Sequence, residues 1–251
     1  MNNAIYAIFF TFLLISCKDK QQEQKALVEN DTTAVQSTEE IIYTENKFRD
    51  TIKVDYSMHK DLLHILTILP DSAMRSWEWK PNDRRAFVKF IKQNNFVVDT
   101  TEYFNITFIK PNTISMIIVD GGWKLSIYKI KPNNYIVITD DIVGGGNDLM
   151  VFEYDSGNLK AIKVEDFFGD IFSELLNNKN DSKCTALLNE KSPWFDYNLQ
   201  DTTKVEISNS YDIREKDRKH CFKGNTLNCQ FNPTTKKFDL VGIKWTEYKE
   251  E

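Results

Sequence analysis

The sequence is poor in the residues and motifs from which many hydrolytic active sites are built. Histidine occurs only three times in 251 residues. No Gly-x-Ser-x-Gly or His-Glu-x-x-His motif is present, so nothing points to the serine hydrolases or zinc peptidases that carry them. Cys-x-x-Cys pairs, which bind structural zinc, are also missing. We therefore expect no metal and no other cofactor.

The three histidines are poorly spaced for metal binding. His59 and His64 are five residues apart, which puts them about 140° apart around a helix, so they do not converge as ligands four residues apart do. His220 adjoins Cys221, but no second cysteine lies close enough to complete a zinc-type spacing.

An excess of basic residues is missing as well. Lys and Arg number 32 against 37 Asp and Glu, for a net charge of −5, and no run of basic residues stands out. Binding to a nucleic-acid backbone depends on such an excess. The sequence therefore predicts no nucleic-acid partner.

The amino-terminal apolar run predicts an export signal. Residues 4–16 are almost wholly apolar, but a helix of that length rises only ~20 Å and cannot cross the ~30 Å hydrocarbon layer. The run therefore has the character of a signal peptide. Its last residues, with the cysteine that follows, resemble the lipobox of bacterial lipoproteins: Leu14, Ile15, Ser16 and Cys17.

The resemblance implies a lipid anchor. In that family residues 1–16 are removed, and the new amino-terminal cysteine carries a diacylglycerol and an amide-linked acyl chain such as palmitate. Two or more acyl chains together hold a protein stably in a membrane. We expect Cys17 to anchor this protein in the bacterial cell envelope, at the outer membrane and facing the periplasm or the exterior.

The chain is predicted to have three parts. After the signal peptide at 1–16, residues 17–50 contain the lipidated cysteine and a polar segment without apolar periodicity, which predicts a flexible tether. Residues 51–251 are long enough for one globular domain with a sizeable core.

Cysteine spacing predicts one disulfide in that domain. If Cys221 and Cys229 lie on two strands joined by a three-residue turn at 224–226, the two cysteines are directly opposed. Opposed β-carbons are ~4.5–5.5 Å apart, close to what a disulfide needs. We expect a Cys221–Cys229 bond with Cys184 free. A free Cys184 acting with His220 as a nucleophile is a less favoured alternative, because a buried thiol is the more common state.

Apolar periodicity predicts an α+β fold. Residues 58–69 and 82–96 have helical spacing and predict a helical hairpin. Between residues 96 and 165 the period changes to two, with short turns that can join only antiparallel neighbours, which predicts a large β-meander. An inserted helix with a glycine interruption follows near residues 164–178, and further strands are expected at 204–208, 226–231 and 238–245.

Three stretches add a second resemblance: ILPDSAM, GGWKLSIYKIKPNNYIVITDD and FEYDSGNLKAI. Their order, over roughly residues 66–162, looks similar to that in uncharacterised envelope lipoproteins of the Bacteroidetes type. The resemblance implies a location in the envelope and no particular activity.

Two clusters of carboxylates are candidate sites. Asp140, Asp141 and Asp148 flank three glycines and could bind Ca²⁺, although a hairpin turn explains the same residues better. The second cluster could contain the acid pair of a glycosidase, but it is equally typical of a solvated helix face: Glu165, Asp166, Asp170 and Glu174.

Aromatic residues are abundant, with 17 Phe, 10 Tyr and 5 Trp. Most are expected in a β-rich core, but exposed rings stack on sugars and are frequent in binding sites. Trp77, Trp79 and Trp194 are the candidates for such a role.

The sequence thus favours a lipid-anchored envelope protein with a binding or structural role, without a catalytic one. Its expected partners are the membrane, through Cys17, and a protein or glycan. One alternative is a glycan hydrolase that uses carboxylates. Another is an inhibitor or immunity protein.

Overall fold

The structure is a computed structural model that describes residues 51–75, 79–98, 105–118, 121–144, 146–191 and 194–248. The predicted signal peptide, Cys17, the tether and Trp77 lie outside these described residues. Within the described ranges, no helix has the length and apolar character needed to cross a membrane.

The first elements form a helical layer. Strand β1 (Thr51–Lys53) pairs antiparallel with β2 (Phe96–Val98), and helices α1 (Tyr56–Ile68) and α2 (Pro81–Asn94) lie between them in the chain. Asp55 caps α1 by accepting a hydrogen bond from the Ser57 amide at 2.9 Å. A 3₁₀ helix (Asp71–Met74) follows α1. The predicted hairpin connection includes residues 76–78, which are not described.

A six-stranded antiparallel sheet forms the middle of the domain. Its strands are β3 (Asn105–Lys110), β4 (Thr113–Ile118), β5 (Gly121–Lys131), β6 (Asn134–Val143), β7 (Gly146–Asp155) and β8 (Asn158–Ile162). Neighbours in the sheet are neighbours in the chain, so the sheet is the predicted meander.

The remaining chain forms short helices and a second antiparallel sheet. The helices are α3 (Val164–Phe168), a 3₁₀ helix (Ile171–Leu175), α4 (Ser182–Lys191) and α5 (Glu215–Arg218). The sheet has the order β12-β11-β10-β9, from β9 (Asp196–Asn198), β10 (Lys204–Ser208), β11 (Thr226–Asn232) and β12 (Lys237–Lys244). The α+β class is confirmed, but the strands divide into more than one sheet and more than one helix is inserted.

The central sheet is buried on both faces. On one face, Leu125 and Val137 pack with the helical layer; on the other, Tyr128 and Ile138 pack with the second sheet and its helices. Successive side chains of a strand point to opposite faces, so β5 and β6 contribute to two separate cores. Their long apolar runs reflect this double burial.

The predicted disulfide is wrong. The bond joins Cys184, in α4, to Cys221, and Cys229 is a free, buried thiol. Cys221 lies before β11 and does not face Cys229, because residues 221–229 do not form a hairpin. Instead β11 pairs on its two sides with β10 and β12, which places Cys229 opposite Val205 and Leu240.

Candidate functional site

An open cleft lies beside Trp194, which follows α4 and precedes β9. It has a volume of about 390 Å³. We call it the Trp194 cleft and define it by residues from β6, β7, α4, β9 and the segment after β10: Ile142, Asn147, Lys191, Trp194, Asp196, Tyr211 and Asp212. Its polar groups are carboxylates, an amide and an amine, set beside two aromatic rings.

A buried carboxylate lies under this cleft. The side-chain amide of Asn147 donates to both oxygens of Asp140, at 2.9 and 3.1 Å. Lys124 lies 3.9 Å from the same carboxylate. Burial nevertheless raises the pKa of Asp140 to about 6, because a low-dielectric site disfavours the charged form. Burial also raises the pKa of Asp196, against the effect of Lys124.

A second cleft, of about 690 Å³, lies between α5 and the end of the described chain. We call it the Arg214 cleft. Its charged residues are Arg214, Glu215, Lys216, Lys219 and Glu247. Trp245 and Tyr248 supply its aromatic surface.

The two clefts meet at a pair of tyrosines. Tyr211 lines the first cleft, Tyr248 lines the second, and their ring centroids are 5.1 Å apart in an edge-to-face arrangement. The Arg214 guanidinium lies 5.7 Å from the Tyr211 centroid and 5.9 Å from that of Tyr248, within range of a cation–π interaction. We call this group the Tyr211–Tyr248 ridge.

Two buried asparagines hold the ridge in place. Asn209 donates from its side chain to the Lys191 carbonyl at 3.1 Å and accepts from the Asp212 amide at 3.1 Å. Asn225 donates to the carbonyls of Ile213 and Thr246, at 2.9 and 2.8 Å. These bonds join the loop that carries Tyr211 to the chain that carries Tyr248, so the rings are held in position without a ligand.

The ridge rings and Trp194 are exposed although all three are large and apolar. The exposed fractions are 47% for Trp194, 59% for Tyr211 and 43% for Tyr248. Exposed aromatic side chains grouped with arginine are typical of binding surfaces.

Trp79 and Trp123 have structural positions. Trp79 is buried and packs edge-to-face on Phe87, with centroids 5.1 Å apart. Trp123 is fully buried and donates its indole N–H to the Ala73 carbonyl at 2.8 Å. Of the three candidates, then, Trp194 is exposed and Trp79 is not.

The aspartates of the glycine-rich turn do not form one cage. Asp140 and Asp141 are adjacent in β6, so their side chains point to opposite faces of the sheet. Asp148 lies directly opposite Asp141. Val143 pairs with Gly146 at the end of a hairpin, and Gly144 has a φ of +60°, as a tight turn requires.

The less favoured alternative of a Cys184–His220 nucleophile is contradicted by the structure. Cys184 is in a disulfide and cannot act as a thiolate with His220. His59 is buried and its Nδ1 lies 2.6 Å from the Asp55 carbonyl. The ring of His64 is exposed and lies 6.0 Å from that of Tyr154.

The predicted acidic cluster lies outside both clefts. Asp170 and Glu174 share an ion pair with Lys179 at the surface. Glu165 and Asp166 are exposed in the first turn of α3, where carboxylates interact favourably with the helix dipole.

The ridge was not predicted from the sequence. Tyr211, Arg214 and Tyr248 belong to no motif, and no local pattern shows that residues 211 and 248 meet. Residues 207–251 contain several aromatic and basic side chains. Such a composition is equally typical of a core beneath a solvated surface, so it does not predict a binding site.

No protein-family model matches this chain, and no curated protein sequence matches it. Among solved structures, the chain is similar to a domain of an uncharacterized protein from Porphyromonas gingivalis W83, with a TM-score of 0.47 and 10% sequence identity. The match covers 72% of this chain and 97% of that domain.

Proposed function

We propose that this protein is a lipid-anchored binding protein of the bacterial cell envelope. Cys17 holds it at the membrane, residues 18–50 act as a tether, and the Tyr211–Tyr248 ridge with its two clefts contacts the ligand. The observation that carries the binding role is the ridge itself: two exposed tyrosine rings and an arginine, on backbone segments that two buried asparagines join by hydrogen bonds.

Rigid exposed aromatic residues are favourable for binding. Little conformational entropy is lost when a ligand covers a ring that is already fixed. Tyrosine also offers an apolar face together with a hydroxyl for hydrogen bonding. The tether lets such a surface reach ligands away from the membrane.

The binding role can be tested without knowing the ligand. A photo-reactive benzoylphenylalanine is placed at Tyr211 in the full-length protein, and cells are irradiated. We expect a covalent adduct of raised mass at this position. The matched control is the same residue at Phe90, which is also exposed but lies in α2. Equal labelling at both positions, or none at Tyr211, contradicts the proposal.

The anchor is tested by labelling cells with a palmitate analogue. We expect label on the wild-type protein and none on Cys17→Ala, which should remain as an uncleaved precursor. Label retained by Cys17→Ala would refute the anchor. Protease treatment of intact and lysed cells then shows whether residues 55–251 face the exterior or the periplasm.

A glycan hydrolase is the second candidate. Asp196 and Asp212 line the same cleft as exposed Trp194, and only Asp212 is in an ion pair with Lys191, at 3.6 Å. Asp196, whose pKa is raised by burial, and Asp212, which is paired with Lys191, offer the two carboxyl groups that acid–base hydrolysis of a glycosidic bond needs. Hydrolysis of a glycan that is lost in both Asp196→Asn and Asp212→Asn would favour this candidate. Lack of turnover by the wild type would exclude it for that glycan.

A further inference from the structure

We propose that the Trp194 cleft and the Arg214 cleft together bind an acidic oligosaccharide. A sugar ring lies against Trp194 and Tyr211, and a carboxylate or sulfate group of the same chain lies beside Arg214. The inference rests on the binding role proposed above and specifies its ligand class.

The two clefts are neighbours. Tyr211 lines one cleft, Tyr248 lines the other, and the two rings are in edge-to-face contact at the ridge between the clefts. Their volumes of about 390 and 690 Å³ lie in the range of small-ligand sites. A chain of several linked rings offers separate sugar units for the two clefts.

The lining of the two clefts suits a sugar ligand. Among the described lining residues of the two clefts, Ile142 is the one aliphatic side chain; the apolar area comes from aromatic rings. Flat rings match the C–H faces of pyranoses. The surrounding groups, including Asn147, Asp196 and Ser210, supply donors and acceptors for hydroxyl groups.

The charge of the Arg214 cleft favours an acidic sugar. Arg214, Lys216 and Lys219 line it together with Glu215 and Glu247. No ion pair joins any of the three cations to a side chain that the structure describes. The protein as a whole has a net charge of −5, so this positive excess is local. Guanidinium groups bind carboxylate and sulfate in a bidentate geometry, with two parallel N–H···O hydrogen bonds.

Arg214 is held ready for such a contact. Its Nε donates to the Tyr211 carbonyl at 3.0 Å, and its guanidinium lies against both ridge rings. The backbone bond uses Nε, which leaves the terminal nitrogens for a ligand. The side-chain entropy that an arginine normally loses on binding is therefore partly lost already.

Calorimetry with detergent-solubilised full-length protein tests the inference. The probes are an oligogalacturonate hexamer, a heparin hexasaccharide and neutral maltohexaose. We expect at least one acidic hexamer to bind at least about tenfold more tightly than maltohexaose, with an affinity that falls as salt increases. The two acidic probes distinguish carboxylate from sulfate recognition.

A double variant and a matched control double variant identify the site. The double variant Arg214→Gln/Lys219→Gln should weaken binding of the acidic hexamer about tenfold and reduce its salt dependence. Lys60→Gln with Lys89→Gln removes the same charge from exposed positions in α1 and α2 and should leave the affinity unchanged.

Three results would overturn the inference. Tighter or equal binding of maltohexaose shows that acidity is not recognised. Equal losses in the two double variants show that the site lies elsewhere or that only net charge matters. Binding of none of the hexamers, by protein that still labels through Tyr211, keeps the proposed binding role and points to a protein ligand instead.

Discussion

Asp140 is a fully buried carboxylate whose ionisation is coupled to folding. Its pKa is raised from an ordinary value of 3.8 to about 6, chiefly by burial, while Lys124 and Asn147 oppose the shift. Between these two pH values, the Asp140 carboxyl is therefore protonated in the folded state and ionised in the unfolded state. The contribution of Asp140 to stability is then fully present below about pH 4 and is lost as the pH rises through 6.

Replacing Asp140 by Asn should remove this dependence. We expect Asp140→Asn to be more stable than wild type at pH 7, by up to about 3 kcal/mol, and equally stable near pH 4. Urea unfolding at pH 4, 5, 6 and 7 measures the difference. Asp155→Asn, an exposed position at the end of β7, is the control and should keep the wild-type slope. A wild-type stability that rises from pH 4 to 6 relative to Asp140→Asn would contradict the prediction.

Arg84 shows a limit of residue-level prediction. Its place among basic residues of α2 predicts a solvated side chain, but it is fully buried. It donates to the Leu69 carbonyl at 2.7 Å and lies 3.3 Å from an oxygen of Asp71. Burial lowers its pKa. Arg84 is buried because α2 packs against the segment that contains Leu69 and Asp71. The periodicity of α2 alone does not show which of its basic residues contacts that segment.

Among the elements, α4 is joined covalently to the segment before β11. The Cys184–Cys221 bond closes a loop of 37 residues. Closing a loop of this length restricts the unfolded chain and stabilises the fold by about 3–4 kcal/mol. We expect Cys184→Ser with Cys221→Ser to lower the free energy of unfolding by up to that amount.

Urea unfolding with and without reductant measures the effect of this bond. Reductant should destabilise wild type and leave the double variant unchanged. Cys229→Ser should keep the response to reductant, because Cys229 is a free thiol in the structure. Peptide mapping without reductant that finds Cys229 in a disulfide would refute the pairing.

The segment before β11 also approaches β12 closely at Gly224. A β-carbon at this position would lie 2.5 Å from the Lys244 carbonyl oxygen. This oxygen belongs to the backbone, so the clash cannot be relieved by rotating a side chain. We expect Gly224→Ala to destabilise the protein by about 1–3 kcal/mol. Gly146→Ala is the matched control, since a β-carbon there has no atom within 4 Å. Thermal unfolding of the two variants compares them, and equal midpoints would show that the contact is absent or yields easily.

The strands and helices were the part of the fold best predicted from the sequence. Predicted strands at 204–208 and 226–231 correspond to β10 (Lys204–Ser208) and β11 (Thr226–Asn232). Alternating side chains and turn residues are local features, so the sequence displays them directly. The short β8 and β9 and helix α4 were not predicted, because their periodic signal is weak over so few residues.

For the whole molecule, the central sheet couples the two cores. Strands β5 and β6 have buried side chains on both faces and lie between other strands of the sheet, so neither core can open without exposing them. We expect one cooperative unfolding transition. Hydrogen exchange should be slowest in β5 and β6 and faster in the edge strands β3 and β8.

Hydrogen exchange with mass spectrometry checks this order, and circular dichroism with tryptophan fluorescence checks cooperativity. The two optical probes should give the same midpoint. Separate transitions, or early exchange in β6 ahead of β8, would show that the two cores are independent.

The sequence alone determined the lipobox resemblance, the α+β class, the meander and the lack of the basic excess that nucleic-acid binding requires. All of these depend on order and composition along the chain. Tertiary structure decided the partner of Cys184, the division of the strands into separate sheets, the burial of Arg84 and the Tyr211–Tyr248 ridge. Each of these joins residues that are distant in the chain, and local propensity carries no information about which distant residues meet when apolar surface is buried.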